Sequence, residues 1–178
     1  MTHQGGNAER QFLMLRWILY TLIGLVFGVL DWYYLNWLTY DLGRSLMTNP
    51  ILWRVLKNIL NYGIWLVPIV PVVIHEGRKA PNIKRPAYAG MLTWGAGVLG
   101  YYGYYGILLS LGKLPHWGDL NVFGPKLDGF WIDYWRKLRY WILEEFLQWL
   151  PIALIGGALM GMLAWKIFHR RQKSLPQG

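Results

Sequence analysis

The chain has no cysteine in its 178 residues. That excludes disulfides, thiolate metal sites, thiol redox chemistry and covalently attached c-type haem, and it leaves the compartment open. Acidic residues are scarce: nine Asp and Glu stand against 18 Lys and Arg, a net charge of +9. Charge of either sign is thin, at 15% of residues, where a soluble domain carries about 25%. Two long stretches lack it altogether. Ala87 to Leu111 is 25 residues without a charged side chain, and Phe146 to Trp165 is 20. A bilayer hydrocarbon core of about 30 Å needs roughly 20 apolar helical residues to cross it. The missing charge therefore points to a membrane protein. The basic residues form no single patch but sit mainly at the ends of apolar segments, as headgroup-facing Lys and Arg do, so no nucleic-acid partner is expected.

Motifs of known chemistry are missing too. There is no phosphate-cradling Gly loop, nucleophile elbow or Asp-rich metal motif. His75-Glu76 opens like a zinc-protease HExxH, but Lys79 occupies the place of the second ligand. No catalytic residue and no metal site are assigned, and enzymatic activity is not the leading expectation. Proton pumps and ion-coupled carriers usually keep an ionisable residue at mid-depth. The spans offer only Asn58 and Asn61, near the outer end of the second. His75 and His169 end two helices on the same side, which leaves a two-histidine haem conceivable, although His169 beside Arg170 and Arg171 suits a solvated cap better. The cofactor stays open.

What is present fits an all-α integral membrane protein with four transmembrane helices. Hydrophobic residues make up 54% of the chain, with 12 Trp and 12 Tyr clustered near segment ends, where amphipathic rings anchor helices. A polar tail at 1–11 precedes a single membrane domain over 12–169, and a basic tail follows at 170–178. The spans fall at about 12–30, 52–74, 87–111 and 146–168. No small-x-small cleavage site precedes Asp31, so the first span reads as a retained anchor. Asp31 to Asn49 reads as interfacial. Asn49-Pro50 suits a helix start, Pro68 and Pro71 should kink that helix, and 75–86 reads as a basic loop. An amphipathic helix over about 129–143 should lie in the headgroup plane before the fourth span. Trp131, Trp135, Leu138 and Ile142 share one of its faces, and Asp133, Arg136, Lys137 and Tyr140 another.

A weak internal repeat suggests two tandem hairpins: Trp53-Arg54 leads to Trp65-Leu66-Val67-Pro68, and Trp135-Arg136 leads to Trp149-Leu150-Pro151. Ten of the 18 basic residues fall on one side if both termini do, which favours cytoplasmic termini. Small residues recur at helical spacing. Gly24 and Gly28 lie in the first span, Gly97, Gly100, Gly103 and Gly106 in the third, and Ala153, Gly157 and Gly161 in the fourth. Such stripes let helices approach closely, within the chain or against a partner.

Glu144-Glu145, at a membrane boundary with Arg136 and Arg139 one turn or two earlier, is the candidate polar site. Ion pairing at headgroup level is the simpler role. A Glu-Glu pair opening a membrane helix resembles the first motif of the CPBP family of intramembrane proteases. That motif has Arg four residues after the second Glu, where this chain has Trp149. The family's later histidine motifs have no counterpart, so the likeness stops at two residues. The leading expectation is a non-catalytic subunit or scaffold that packs against lipid, other membrane subunits, a second copy or a hydrophobic cofactor. One alternative is a small transporter or substrate-capture module with its site between the two hairpins. Another is an enzyme on lipid headgroups, with Glu144 or Glu145 as general base.

Overall fold

A computed structural model describes residues 4–38, 50–111 and 130–173, which are helical apart from short turns. The chain runs through α1 (Gln4–Trp37), α2 (Pro50–Gly63), α3 (Leu66–Lys79), α4 (Lys84–Ser110), α5 (Phe130–Lys137), a π-helical segment (Leu138–Leu143) and α6 (Glu144–Lys173). The expected interfacial segment lies outside the described residues from 39 to 49, as do the 112–129 loop and the outermost residues of both tails. Three helical stretches are long and apolar enough to cross a membrane: Gln11–Leu35, Ile51–Lys79 and Tyr134–Arg170. The expected third span lies inside α4. That helix has 27 residues, about 40 Å at ~1.5 Å each, but its Gly and Tyr residues make it less apolar than the other three.

Local chemistry explains where the helices break. Pro68 has no N–H to give the Ile64 carbonyl, and the Val67 N–H takes that oxygen at 3.0 Å instead. The expected kinked helix is therefore two helices, joined at Ile64–Trp65. α3 then continues past Ile74 to Lys79, and α4 begins at Lys84, so the expected loop shrinks to 80–83. Arg78 and Lys79 fall in its last turn, where positive charge suits the carbonyl end. The Ala80 N–H closes that turn on the Glu76 carbonyl at 2.8 Å. Asn82 Oδ1 accepts from the Arg85 N–H at 3.3 Å and caps the first turn of α4, where Pro86 is tolerated.

α4 is the central element. It packs on α1 along one side and on α6 along the other, and α3 touches both α4 and α6. The expected interfacial helix does not separate from the fourth span: α5, the π-helical segment and α6 form one run. Ile142 is buried against Tyr102 and Leu109 of α4, and Leu138 and Tyr134 pack beside it. The start of α1, the end of α3, the start of α4 and the end of α6 meet at one end of the bundle, through Arg16–Glu76, Arg85–Glu76, Trp165–Ala80 and Arg78–Phe168 contacts. Outward faces are apolar, with Leu15, Leu19, Leu22 and Val26 exposed on α1 and Ile155, Leu159 and Leu163 on α6. Such continuous apolar surface is what an integral membrane protein presents to lipid.

Candidate functional site

Glycine positions set the helix spacing that shapes the site. A Cβ on Gly24 or Gly28 would run into backbone of α4 at Thr93 and Gly97. Gly100 faces the Leu25 backbone, Gly157 faces Gly90, and Gly161 faces Pro86. Ala153 is buried in the same core. These small residues are in use within the chain. Gly103 has open space where a Cβ would go, and Gly106 has only Leu138 at 4.0 Å. Two other glycines seat tryptophans: a Cβ on Gly97 would lie 3.0 Å from the Trp65 ring, and one on Gly156 would lie 2.6 Å from the Trp94 ring.

Those tryptophans wall a cavity of about 340 Å³, within the size range of small-molecule sites. α1 contributes Asp31 and Leu35, α2 contributes Asn61 and Tyr62, and the α2–α3 break contributes Trp65. From α4 come Trp94, Val98, Tyr101 and Tyr102, and from α6 Glu145, Trp149 and Ile152. The repeat-related Trp65 and Trp149 line the same space. Tyr62 packs on Trp149 with ring centroids 5.8 Å apart, and Phe27 packs edge-on against Trp65 at 5.3 Å. Two carboxylates face this aromatic box. Glu145 is held by the Tyr102 hydroxyl, which donates to its Oε2 at 3.2 Å. Asp31 is 1% exposed, and neither carboxylate oxygen has a hydrogen-bond partner. Leaving an ionisable group buried and unpaired costs several kcal/mol. Two other grooves are apolar and carry no charged residue; one, walled by Leu13, Met14, Ile18 and Leu22, runs along α1, and the other lies between α4 and α6 beside Leu150 and Leu154.

Of the candidate polar site Glu144, Glu145, Arg136 and Arg139, Glu145 alone lines the cavity, where Asn61 of the second span joins it. Glu144 beside it is exposed, as Glu145 is, at the junction where the π-helical turn passes into α6. Arg136 is exposed on α5, and the Arg139 guanidinium lies over the Tyr140 ring at 5.6 Å.

At the other end lies a cluster that sequence reasoning did not assemble. Glu76 is 1% exposed. The Tyr20 hydroxyl donates to its Oε1 at 2.7 Å, Arg85 Nε stands 2.8 Å from its Oε2, and Arg16 is 3.8 Å away. The Arg85 contact has ion-pair distance without hydrogen-bond alignment. Tyr20 and Asp31 are 11 residues apart on α1, about 16 Å at ~1.5 Å per residue, so cluster and cavity are separate. The two histidines each have local partners: His75 meets Lys79 at 3.5 Å, and His169 stacks on Trp165 at 4.2 Å. Among the described residues, no three His, Asp or Glu are grouped to hold a metal ion.

The missed residues left faint signals. Asp31 follows 14 uncharged residues and precedes Trp32-Tyr33-Tyr34, the usual look of a residue at the headgroups. Glu76 sits among His75, Arg78 and Lys79, the usual look of a loop. No protein family, curated protein or solved structure matches this chain.

Proposed function

We propose that this chain is a four-span, multi-pass membrane protein that captures a small molecule between its two hairpins, as a binding or carrier module. One observation carries the reading: a cavity of about 340 Å³ walled by both hairpins and containing a buried, unpartnered Asp31. One wall comes from α1, α2 and Trp65, the other from α4 and α6, the placement expected of a site between repeats. The helices are weakest beside it. The α2–α3 break is at Trp65, and Pro151 withholds one backbone N–H from the α6 ladder two residues after Trp149. These are positions where a wall can pivot. The opposite end is tied shut by the Glu76 cluster, which joins α1, α3 and α4. In this arrangement the termini and basic flanks face the cytoplasm, and the cavity lies toward the outer side.

Native mass spectrometry of the protein, extracted in mild detergent, tests this. The expected result is a small-molecule adduct that Trp149→Ala weakens roughly tenfold, the worth of one aromatic wall. An adduct-free protein recovered only as a stoichiometric part of a larger assembly would favour the packing-subunit reading instead. That reading has the exposed α4 face around Leu99, Gly103 and Ile107 to offer a partner or a second copy.

A further inference from the structure

We propose that the cavity's ligand is an organic cation: an ammonium ion with an apolar body, its charge on Asp31 and its body boxed by Trp65, Trp94 and Trp149. This rests on the capture reading above and adds the sign of the ligand's charge. Among the described residues, no Lys or Arg lines the cavity, whereas two carboxylates and six aromatic rings do. Nor, among the described residues, does any basic side chain form an ion pair with Asp31. An anion would meet two like charges, that of Asp31 removed from water. A neutral ligand without an N–H or O–H donor would leave the Asp31 oxygens, already removed from water, without a partner, and a neutral donor would leave the charge uncompensated. A hard metal ion prefers six or more oxygen ligands, roughly, and these walls are mostly ring carbon.

A cationic nitrogen satisfies both halves of the site. Its charge, or its N–H groups, supply what Asp31 lacks, and the faces of Trp rings attract it through their quadrupoles. The rings are held for this. Gly97 makes room for Trp65, Gly156 makes room for Trp94, and Tyr62 packs against Trp149. Glu145 keeps its carboxylate turned to the cavity through Tyr102 and adds a second negative charge near the first.

The test uses the full chain in nanodiscs of zwitterionic phosphatidylcholine, so that no anionic lipid attracts the probe. Tryptophan fluorescence is followed while benzyltrimethylammonium, or the uncharged N,N-dimethylbenzamide of similar size, is titrated. Expected is saturable binding of the cation, roughly tenfold or more tighter than the amide. Asp31→Asn should remove that preference and Asp31→Glu should keep most of it. The comparison on the unaltered protein needs no variant to fold. Equal affinity for both probes would overturn the cation inference while leaving the capture reading in place. Failure of both probes to saturate, on protein shown to be helical and monodisperse, would overturn the two together.

Discussion

Glu76 is buried, and its charge is met by its neighbours rather than by water. Its carboxylate is surrounded by Tyr20, Arg85 and Arg16 from two other helices, so three elements are tied through one side chain. A buried ion pair stabilises little over a well-packed apolar substitute, but removing one partner strands the other without water. Arg85→Met should therefore lower stability by about 3–5 kcal/mol, read as a fall in the midpoint of thermal unfolding in detergent. The double variant Glu76→Gln with Arg85→Met should recover most of that loss, because no charge is left stranded. A double variant less stable than the single one would mean that the pair contributes net attraction here. None of this was legible from residue order. Arg16, Tyr20, Glu76 and Arg85 lie up to 69 positions apart, and in a chain rich in basic residues a lone Glu beside two of them looks solvated.

At the scale of elements, apolar runs and proline told most of the story. Uncharged length locates α4 and α6, and the missing N–H of Pro68 explains why the second span is two helices. What composition could not convey was how the helices use their small residues, since a glycine stripe looks the same facing a neighbour or facing lipid. The structure separates the two cases. Gly157 sits against the Gly90 backbone, which has no flexible side chain to yield, whereas Gly103 has free space. Gly157→Ala must push α6 off α4 and should cost more than the ~1–3 kcal/mol of ordinary overpacking. Gly103→Ala should be neutral or stabilising by up to about 1 kcal/mol, the gain in helix propensity. Thermal unfolding of the two variants side by side checks this, and equal losses would show that Gly103 faces a partner in the membrane. The α5 region was misjudged for a related reason. Its apolar face is that of a surface-lying helix, but Leu138 and Ile142 find α4 to pack on, and the π-helical turn carries the chain into α6 without a break.

Across the whole molecule, one question joins the fold to its use: whether α4 crosses the bilayer along with the three more apolar stretches. The contacts argue for it. α4 is the helix with the most buried face, and it lies between α1 and α6, so it shares whatever environment they occupy. Its tyrosines and glycines lower its apolar character without adding charge, and Gly90, Gly95, Gly97, Gly100 and Tyr102 among them are buried against neighbouring helices. If it crosses, the N-terminal tail, the α3–α4 turn at Asn82 and the C-terminal tail share one face, and 112–129 lies on the other with the cavity. The absence of cysteine makes this directly measurable. Single variants Thr2→Cys, Asn82→Cys, Asn121→Cys and Ser174→Cys can each be probed in intact cells with a membrane-impermeant maleimide. Asn121→Cys should label, and the other three only after permeabilisation, if the ten basic residues near those ends orient them as the positive-inside rule predicts. Labelling of Asn82→Cys and Ser174→Cys from opposite faces would leave a single crossing between them. The cavity, which takes walls from both α4 and α6, would then not sit within a bundle of four crossing helices, and the capture reading would fall with the topology that supports it.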